Sequence, residues 1–330
     1  MKIKILVLGL AVCSAGLLHS QTGSSNPEAV TNIQKRTLII VTEEENPKLT
    51  ASLGGDELAQ YKKDVEDYNR DIKDAVTGFW KFNSTIEYKT RAEMNKLVTA
   101  KCKDYAYIEY NKFTVNCANS QAYKLTCQFR EGAKEITLAG SDYISTQLNI
   151  RLCDENPFGP PVFGVKLASP FPNKADLVYA LNAIQLQFRY KLEGKSNIAI
   201  LTLFKANAKA LANLTLLVNE KNTDLNIDEI KKAYPYPVEL VKKEKIDAAL
   251  LSPDEKTAFV IVIPTSGSSF SFYALSAKDC SVLGYTYNTQ STGVKVGLGG
   301  RVGMAMDMDN DMTKMKVKKD HFKLFAERVK

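Results

Sequence analysis

Six apolar residues in succession, Ala258, Phe259, Val260, Ile261, Val262 and Ile263, stand between the turn-forming Ser252-Pro253-Asp254 and Pro264. A half-buried strand alternates apolar with polar side chains. An unbroken apolar run of this length therefore marks a strand covered on both faces, which needs packed layers on either side. This stretch commits the chain to an α/β architecture. The segments around it fit that frame. "LTLLVNE" from Leu214 is a short β-rich run, and Asn226 with Glu229 has the form of a capping box opening the helix "IDEIKKAY". Pro235 and Pro237 stop that helix at Tyr234. "VELV" reads as a strand and "EKIDAALL" as a helix. "SFSFYAL" and "CSVLGYTY" read as a hairpin about Ala277-Lys278-Asp279, and "KKDHFKLFAERV" as a closing amphipathic helix with Phe322, Phe325 and Val329 on one face.

The first half repeats this order. "RTLIIVT" from Arg36 reads as a strand, "DELAQYKKDVEDYNRDIKDAV" as a long helix, "STIEYK" as a strand, "AEMNKLVTA" as a helix and "DYAYIEY" as a strand. A hairpin carrying Cys117 and Cys127, the strand "EITLA" and a last helix near "SDYISTQLN" complete the set. Ile72, Lys73 and Ala75 match Ile230, Lys231 and Ala233; Glu87 and Ala106 match Glu239 and Ala258; Val41 and Glu43 match Val218 and Glu220. The expectation is a duplicated α/β (α+β) fold, two related small modules of βαβαβββα order over residues 37–152 and 213–330. Between them, residues 157–172 carry Pro157, Pro160, Pro161, Pro170 and Pro172, which reads as a stiff connector. Leu177, Leu181, Ile184 and Phe188 then fall at helical spacing, and a second helical candidate follows "KSN", so residues 153–212 read as connector plus αα-hairpin.

The first residues place Lys2 and Lys4 before an apolar run at 5–18, with small or polar residues up to Gln21. This is the layout of a secretory signal peptide over 1–20, followed by a flexible segment over 21–36. The run is shorter than the roughly 18 to 20 residues of a membrane anchor. A lipoprotein anchored at Cys13 is the competing reading, with the bulky Val12 and apolar Leu17 and Leu18 against it. The expectation is an exported chain, periplasmic or extracellular. Five cysteines then remain: Cys102, Cys117, Cys127, Cys153 and Cys280. Centring the hairpin near residues 119–122 makes Cys117 face Cys127, so that pair is expected to bridge in an oxidising compartment, with two buried thiols as the alternative.

Histidine limits the chemistry. The chain has two, His19 and His321, and the first leaves with the signal peptide. A single histidine cannot build a His-rich zinc site, and His321 beside Asp320 reads as a surface helix position. "GKS" at 194–196 lacks the upstream glycine of a phosphate loop, and "GLGGRVG" from Gly297 lacks the strand-turn-helix that such a loop needs. "DMDNDM" puts Met312 and Lys318 where a calcium loop needs glycine and a bidentate acid. No C-x-x-C and no G-x-S-x-G occurs. No cofactor, metal or catalytic residue is therefore assigned. The formal net charge of +7 is concentrated in the last 18 residues, where seven basic residues face two acids. Without aromatics interleaved among basic residues, this excludes nucleic acid as the expected partner. Membrane contact is expected only through lipidation or this basic helix.

The order strand-helix-strand-helix followed by three strands and a helix, with "AFVIVIPTSGSSFSFYALSAKDCSVL" as its antiparallel part, resembles the N-terminal α/β domain of TolB and of related secretion-channel lipoproteins. The resemblance implies docking in envelope complexes. The expected function is a non-enzymatic envelope protein that binds another envelope protein or cell-surface material. Its groove between modules would be lined by Trp80, Phe158, Phe163 and Phe171. The alternative is an exported enzyme with a thiol or carboxylate mechanism, for which Cys102, Cys153 and Cys280 are the thiol candidates.

Overall fold

The computed structural model describes residues 21–22, 26–99, 101–115, 143–169, 172–266, 269–287, 295–296, 302–303 and 316–330. The apolar run at 258–263 lies in a ten-residue strand at the centre of a five-stranded sheet. That sheet has the order β11-β10-β9-β7-β8, where β7 is Thr215–Asn219, β8 Val238–Val241, β9 Thr257–Ser266, β10 Ser269–Ser276 and β11 Val282–Tyr287. The first half builds β6-β5-β4-β2-β3 from β2 (Thr37–Thr42), β3 (Ile86–Thr90), β4 (Tyr105–Val115), β5 (Tyr143–Leu152) and β6 (Phe163–Leu167), with β1 (Gln21–Thr22) added at the edge of β6. The first strand of each set runs parallel to its two neighbours, and the last three strands are antiparallel. The two sheets therefore share one topology.

Register makes the correspondence residue by residue. Leu38 pairs with Ile86 and Ala106, as Leu216 pairs with Val238 and Ala258. The matches of Glu87 with Glu239 and of Ala106 with Ala258 agree with that pairing. The match of Val41 with Val218 does not: Val41 corresponds to Asn219, and a slip of one residue would send every side chain of the strand to the opposite face.

The helices follow the same plan. In the first half they are α1 (Pro27–Lys35), α2 (Pro47–Ser52), α3 (Gly55–Phe79), α4 (Arg91–Leu97) and α5 (Lys174–Leu192). In the second half, α6 (Asn197–Asn207) runs into a 3₁₀ turn (Ala208–Ala212), followed by α7 (Ile227–Ala233), α8 (Lys243–Leu251) and α9 (Lys319–Val329). The Asn226–Glu229 capping box is present, and α7 stops with Tyr234 as its C-cap. A short pair, β12 (Lys295–Val296) with β13 (Val302–Gly303), stands apart from both sheets.

Four expectations for the first half need correcting. The segment 21–36, expected to be flexible, holds helix α1, because Asn26 caps it and Val30 and Ile33 are fully buried in the first core. The segment near "SDYISTQLN" is strand β5, not a helix: Leu148, Ile150 and Leu152 enter the core while Gln147, Asn149 and Arg151 point to the other face, a period of two. The connector contains strand β6, whose five residues are all buried; Pro160 and Pro161 precede it and Pro170 and Pro172 follow it, so the prolines bound a strand without interrupting it. The first helix of the expected hairpin, α5, closes the first module. The Cys117/Cys127 pair and "EITLA" lie outside the described residues, as do residues 297–300 and the acidic run at 307–312.

Helix α5 carries the packing. Leu177, Val178, Ala180, Leu181, Ile184 and Phe188 are fully buried, and one continuous core joins them to Leu38, Ile40, Ile108, Ile150 and Val165 of the first sheet and to Leu217, Phe259, Ile261 and Ile263 of the second. Each such side chain contributes about 1.5–3 kcal/mol by leaving water. Asn173 caps α5 through a box with Asp176, and Gly194, at φ +72°, ends the turn after it; Ser196 then caps α6 by accepting from Ala199 N–H. "GKS" is thus a helix-to-helix turn. The opposite face of the second sheet, with Leu216, Val218, Val260, Val262 and Phe272, packs under α7 and α9.

His321 is buried in α9, not on its surface. Its ring stacks on Phe272 at 4.1 Å between centroids, and its Nδ1 accepts from Lys318 N–H at 3.0 Å. Burial, assisted by Lys318, pulls its pKa from 6.5 down to about 4. Cys102 and Cys153 form a disulfide with Cα atoms 5.5 Å apart, tying the approach to β4 to the end of β5.

Two measurements check this account. Closing a loop across 51 residues is worth about 4 kcal/mol in the chain-entropy treatment. Cys102→Ser should therefore lower the urea-unfolding free energy by about 3–4 kcal/mol and abolish the difference between oxidised and reduced wild type at this bridge. For His321, the unfolded chain takes up a proton below pH 6.5 while the folded chain does so only near 4, so stability rises with pH across that window. Wild type should lose on the order of 2 kcal/mol from this group between pH 6.5 and 4, and His321→Phe should lack that component in pH-dependent melts.

Candidate functional site

Open α/β sheets bind ligands outside the carboxyl ends of strands whose connections leave on opposite faces. In the first module β2 leads into α3 on the inner face, and β3 leads into α4 on the outer face, where Met94 packs on Ile39, Val41 and Tyr107. A cleft of about 920 Å³ opens there. Its walls come from the chain after β2 (Glu43, Glu44, Glu45), from α3 (Tyr61, Asp64, Tyr68, Asp71), from Arg91 at the start of α4, from Tyr110 on β4, and from Ser169, Pro172 and Asn173 before α5.

Local bonds fix this shape. Asn69 accepts from Glu43 N–H at 2.8 Å and donates to Glu43 O at 2.9 Å, holding the strand exit against α3. Asn46 N–H donates to Tyr61 Oη at 2.6 Å, and Lys174 N–H donates to Asp71 Oδ2 at 3.1 Å. Tyr68 stacks on Tyr110 with centroids 5.1 Å apart. The Tyr68 hydroxyl is buried with no hydrogen-bond partner among the described residues; burial and the nearby Glu43 carboxylate push its pKa far up, so it stays neutral.

Behind the cleft runs a charge relay. Arg91 Nη2 reaches Glu43 Oε1 at 2.9 Å and Nη1 reaches Glu109 Oε2 at 3.0 Å; Glu109 Oε1 accepts from Arg151 Nε at 2.7 Å and from Asn111 at 3.0 Å. Against the cost of burial, Glu43 and Glu109 raise Arg91 above its ordinary value. This relay crosses to the outer sheet face, where Gln147, Asn149, Arg151 and Lys166 are all buried. Burial lowers the Lys166 pKa.

The second module uses the same places differently. By register, Phe259, Ile261 and Ile263 occupy the positions of Tyr107, Glu109 and Asn111, and Tyr273 and Leu275 those of Asn149 and Arg151. Lys243, the first residue of α8, stands where Arg91 begins α4. It pairs with Asp176 of α5 at 3.2 Å and with Asp247 at 2.7 Å, while Asn173 donates to Asp247 at 2.8 Å. The first turn of α5 fills this end of the second module.

The aromatic groove expected between the modules does not form as drawn. Trp80 is buried, donating from Nε1 to Asn83 Oδ1 at 3.0 Å, and Asn83 in turn donates to Ile33 O and Arg36 O. Phe163 is buried too, and the row Trp80, Phe82, Phe188, Phe163 runs through the core with successive centroids 6.1, 5.2 and 6.4 Å apart. These large rings fill space between α3, α5 and β6. Phe158 is 96% exposed, away from them, and Phe171 lies outside the described residues. Among the thiol candidates, Cys102 and Cys153 are bonded to each other, and burial pushes the Cys280 thiol up to about 12. None of the three offers an accessible thiolate. Among the described residues no group of histidine, cysteine or acidic side chains is arranged to hold a metal ion, and no helix is long and apolar enough to cross a membrane. Comparison with protein-family models, with curated proteins and with solved structures found no match.

The cleft residues were legible only in part. Tyr61, Asp64 and Tyr68 share one helical face by spacing, but nothing local shows which strand end they meet.

The relay makes a test by double-mutant cycle. Arg151→Leu alone leaves Glu109 buried with one guanidinium fewer and should cost about 2–3 kcal/mol in urea unfolding. Adding Glu109→Ile, the residue type that the second module carries there, should recover part of that loss, with a coupling energy of about 1–3 kcal/mol.

Proposed function

We propose that the chain is an exported, non-enzymatic component of the cell envelope whose two copies divide the work: the second is used for construction, the first for binding. The observation that carries this reading is the unequal use of equivalent positions. Lys243 and the sheet face beside it are consumed by α5, whereas Arg91 stands in the wall of an open cleft. Duplication supplies two strand-end clefts, and packing one module on the other closes only one of them.

Export rests on the charged start, the short apolar run and the polar stretch before Gln21. An oxidising compartment also suits the Cys102–Cys153 bridge. The element order resembling the N-terminal domain of TolB supports a docking role over a catalytic one, and no accessible thiolate stands among Cys102, Cys153 and Cys280 to favour the enzymatic alternative.

A photo-crosslinking residue at Glu45, on the cleft rim, should yield a discrete adduct in intact cells, and one at Lys231, on the exposed side of α7, should not. Equal labelling from both positions, or none from Glu45, would refute a binding role for the cleft. Fractionation of the same cells checks export.

A further inference from the structure

We infer that the cleft of the first module receives an organic cation, an alkylammonium or guanidinium group, seated between the tyrosines of α3 and β4 and the carboxylates around them. This rests on the reading of the cleft as a binding site and adds the chemistry of what enters it.

The first support is the charge of the walls. Glu43, Glu44, Glu45, Asp64, Asp67 and Asp71 line the cleft, against the single guanidinium of Arg91. Arg91 is already held by Glu43, Glu109 and Tyr110 O. The cations that reach the wall from outside, Lys62, Lys63 and Arg70, lie on the solvent side of α3 with more than half of each side chain exposed. Such pairs are screened by water and salt, so they leave much of the negative potential in the cleft. An anionic ligand would be repelled. A bare metal ion would need several acids converging on one point, and among the described residues they do not converge.

The second support is independent of charge. Tyr68 is 6% exposed, lines the cleft, and has a hydroxyl with no hydrogen-bond partner among the described residues. Leaving a buried polar group unsatisfied is costly, so such a group in a native structure calls for a partner from outside the chain or a functional reason. A neutral phenol both donates and accepts. With acidic side chains around it to receive its O–H, its oxygen, shielded from solvent in the cleft wall, is left to accept from an N–H donor that presses in. Ammonium and guanidinium groups carry only donors, whereas the carboxylates carry only acceptors, so one cation can satisfy both kinds of wall. Where the rings of Tyr61, Tyr68 and Tyr110 border the cleft they add cation–π attraction, which a neutral amide lacks. In the second module Lys243, the counterpart of Arg91, is likewise held by carboxylates, Asp176 and Asp247, and the first turn of α5 takes the space that the cleft leaves open in the first.

The test is isothermal titration calorimetry on the mature full-length chain. Spermidine and agmatine represent free amines, a lysine- and arginine-rich nonapeptide represents a polypeptide source, and N-acetylglutamine methylamide is the neutral control. At least one cationic probe should bind, with affinity falling several-fold between 50 and 300 mM salt. Tyr68→Phe should weaken binding about tenfold without lowering the melting temperature. The surface triple variant Glu44→Gln, Glu45→Gln, Asp67→Asn should weaken it further while keeping the fold. Binding by the free amines identifies a small-molecule ligand, and binding by the peptide alone identifies a side chain of a partner; either supports the inference. No binding by any cationic probe, or binding that Tyr68→Phe leaves unchanged, overturns it. If a Glu45 crosslink then still captures a partner, the cleft remains a binding site of other chemistry; if that also fails, both readings fall together.

Discussion

The burial of helix α5 against two sheets at once is the constraint on which the rest of the molecule depends. Most surface helices bury one stripe, but α5 buries residues around most of its circumference, from Ala175 to Lys191. Its polar exceptions are answered: Asp176 meets Lys243, and Lys191 donates to Asn197 at 2.6 Å. Burial lifts the Asp176 carboxyl above its usual range, with the Lys243 charge acting against that lift. A helix dressed this way is stable only with both neighbours in place, so the two modules behave as one packed body with a shared wall.

That wall explains why duplicated sheets carry different outer faces. The second sheet presents Phe259, Ile261, Ile263, Tyr273 and Leu275 to the helices from the first half, and apolar side chains are what such a contact rewards. Among the described residues the helix on the outer face of the first sheet is α4, and there Glu109 accepts from Arg151 and Asn111 while Gln147 donates to Asn149. The same pleat therefore encodes an internal contact in one copy and a polar network in the other. The cleft sits where this network meets the carboxyl end of β2.

Much of this was legible in the sequence where the relevant physics is local. The Asn226 box, the stop before Pro235, the apolar run at 258–263 and the turn at 277–279 each act within a few residues, and the second module follows from them nearly element by element. The first module was harder because its information is distant. With a helix expected at β5, Cys153 has no strand partner in the sequence, so the Cys102–Cys153 bridge that β4–β5 pairing brings about is not among the expected pairs. Prolines at 157–172 suggested a connector because a short, fully buried strand between proline pairs has no periodicity to announce it. By residue type Trp80 and Phe163 suit a groove, and only the closure of α5 on α3 and β6 shows that they fill the core. His321 was misplaced for a related reason: its neighbours on α9 are charged, and the ring that receives it, Phe272, lies on another element.

One consequence of the α5 wall concerns the order in which the molecule comes into being. Synthesis from the amino terminus delivers the strands of the first sheet and α5 before any strand of the second. The later half then meets a finished apolar template, and its own outer face need never stand bare in solution. The reverse sequence, or a fragment holding only the second half, would expose a broad sheet of aromatic and branched side chains with nothing to cover it. The earlier copy thus serves as the mould for its sibling, and the two cannot trade places along the polypeptide.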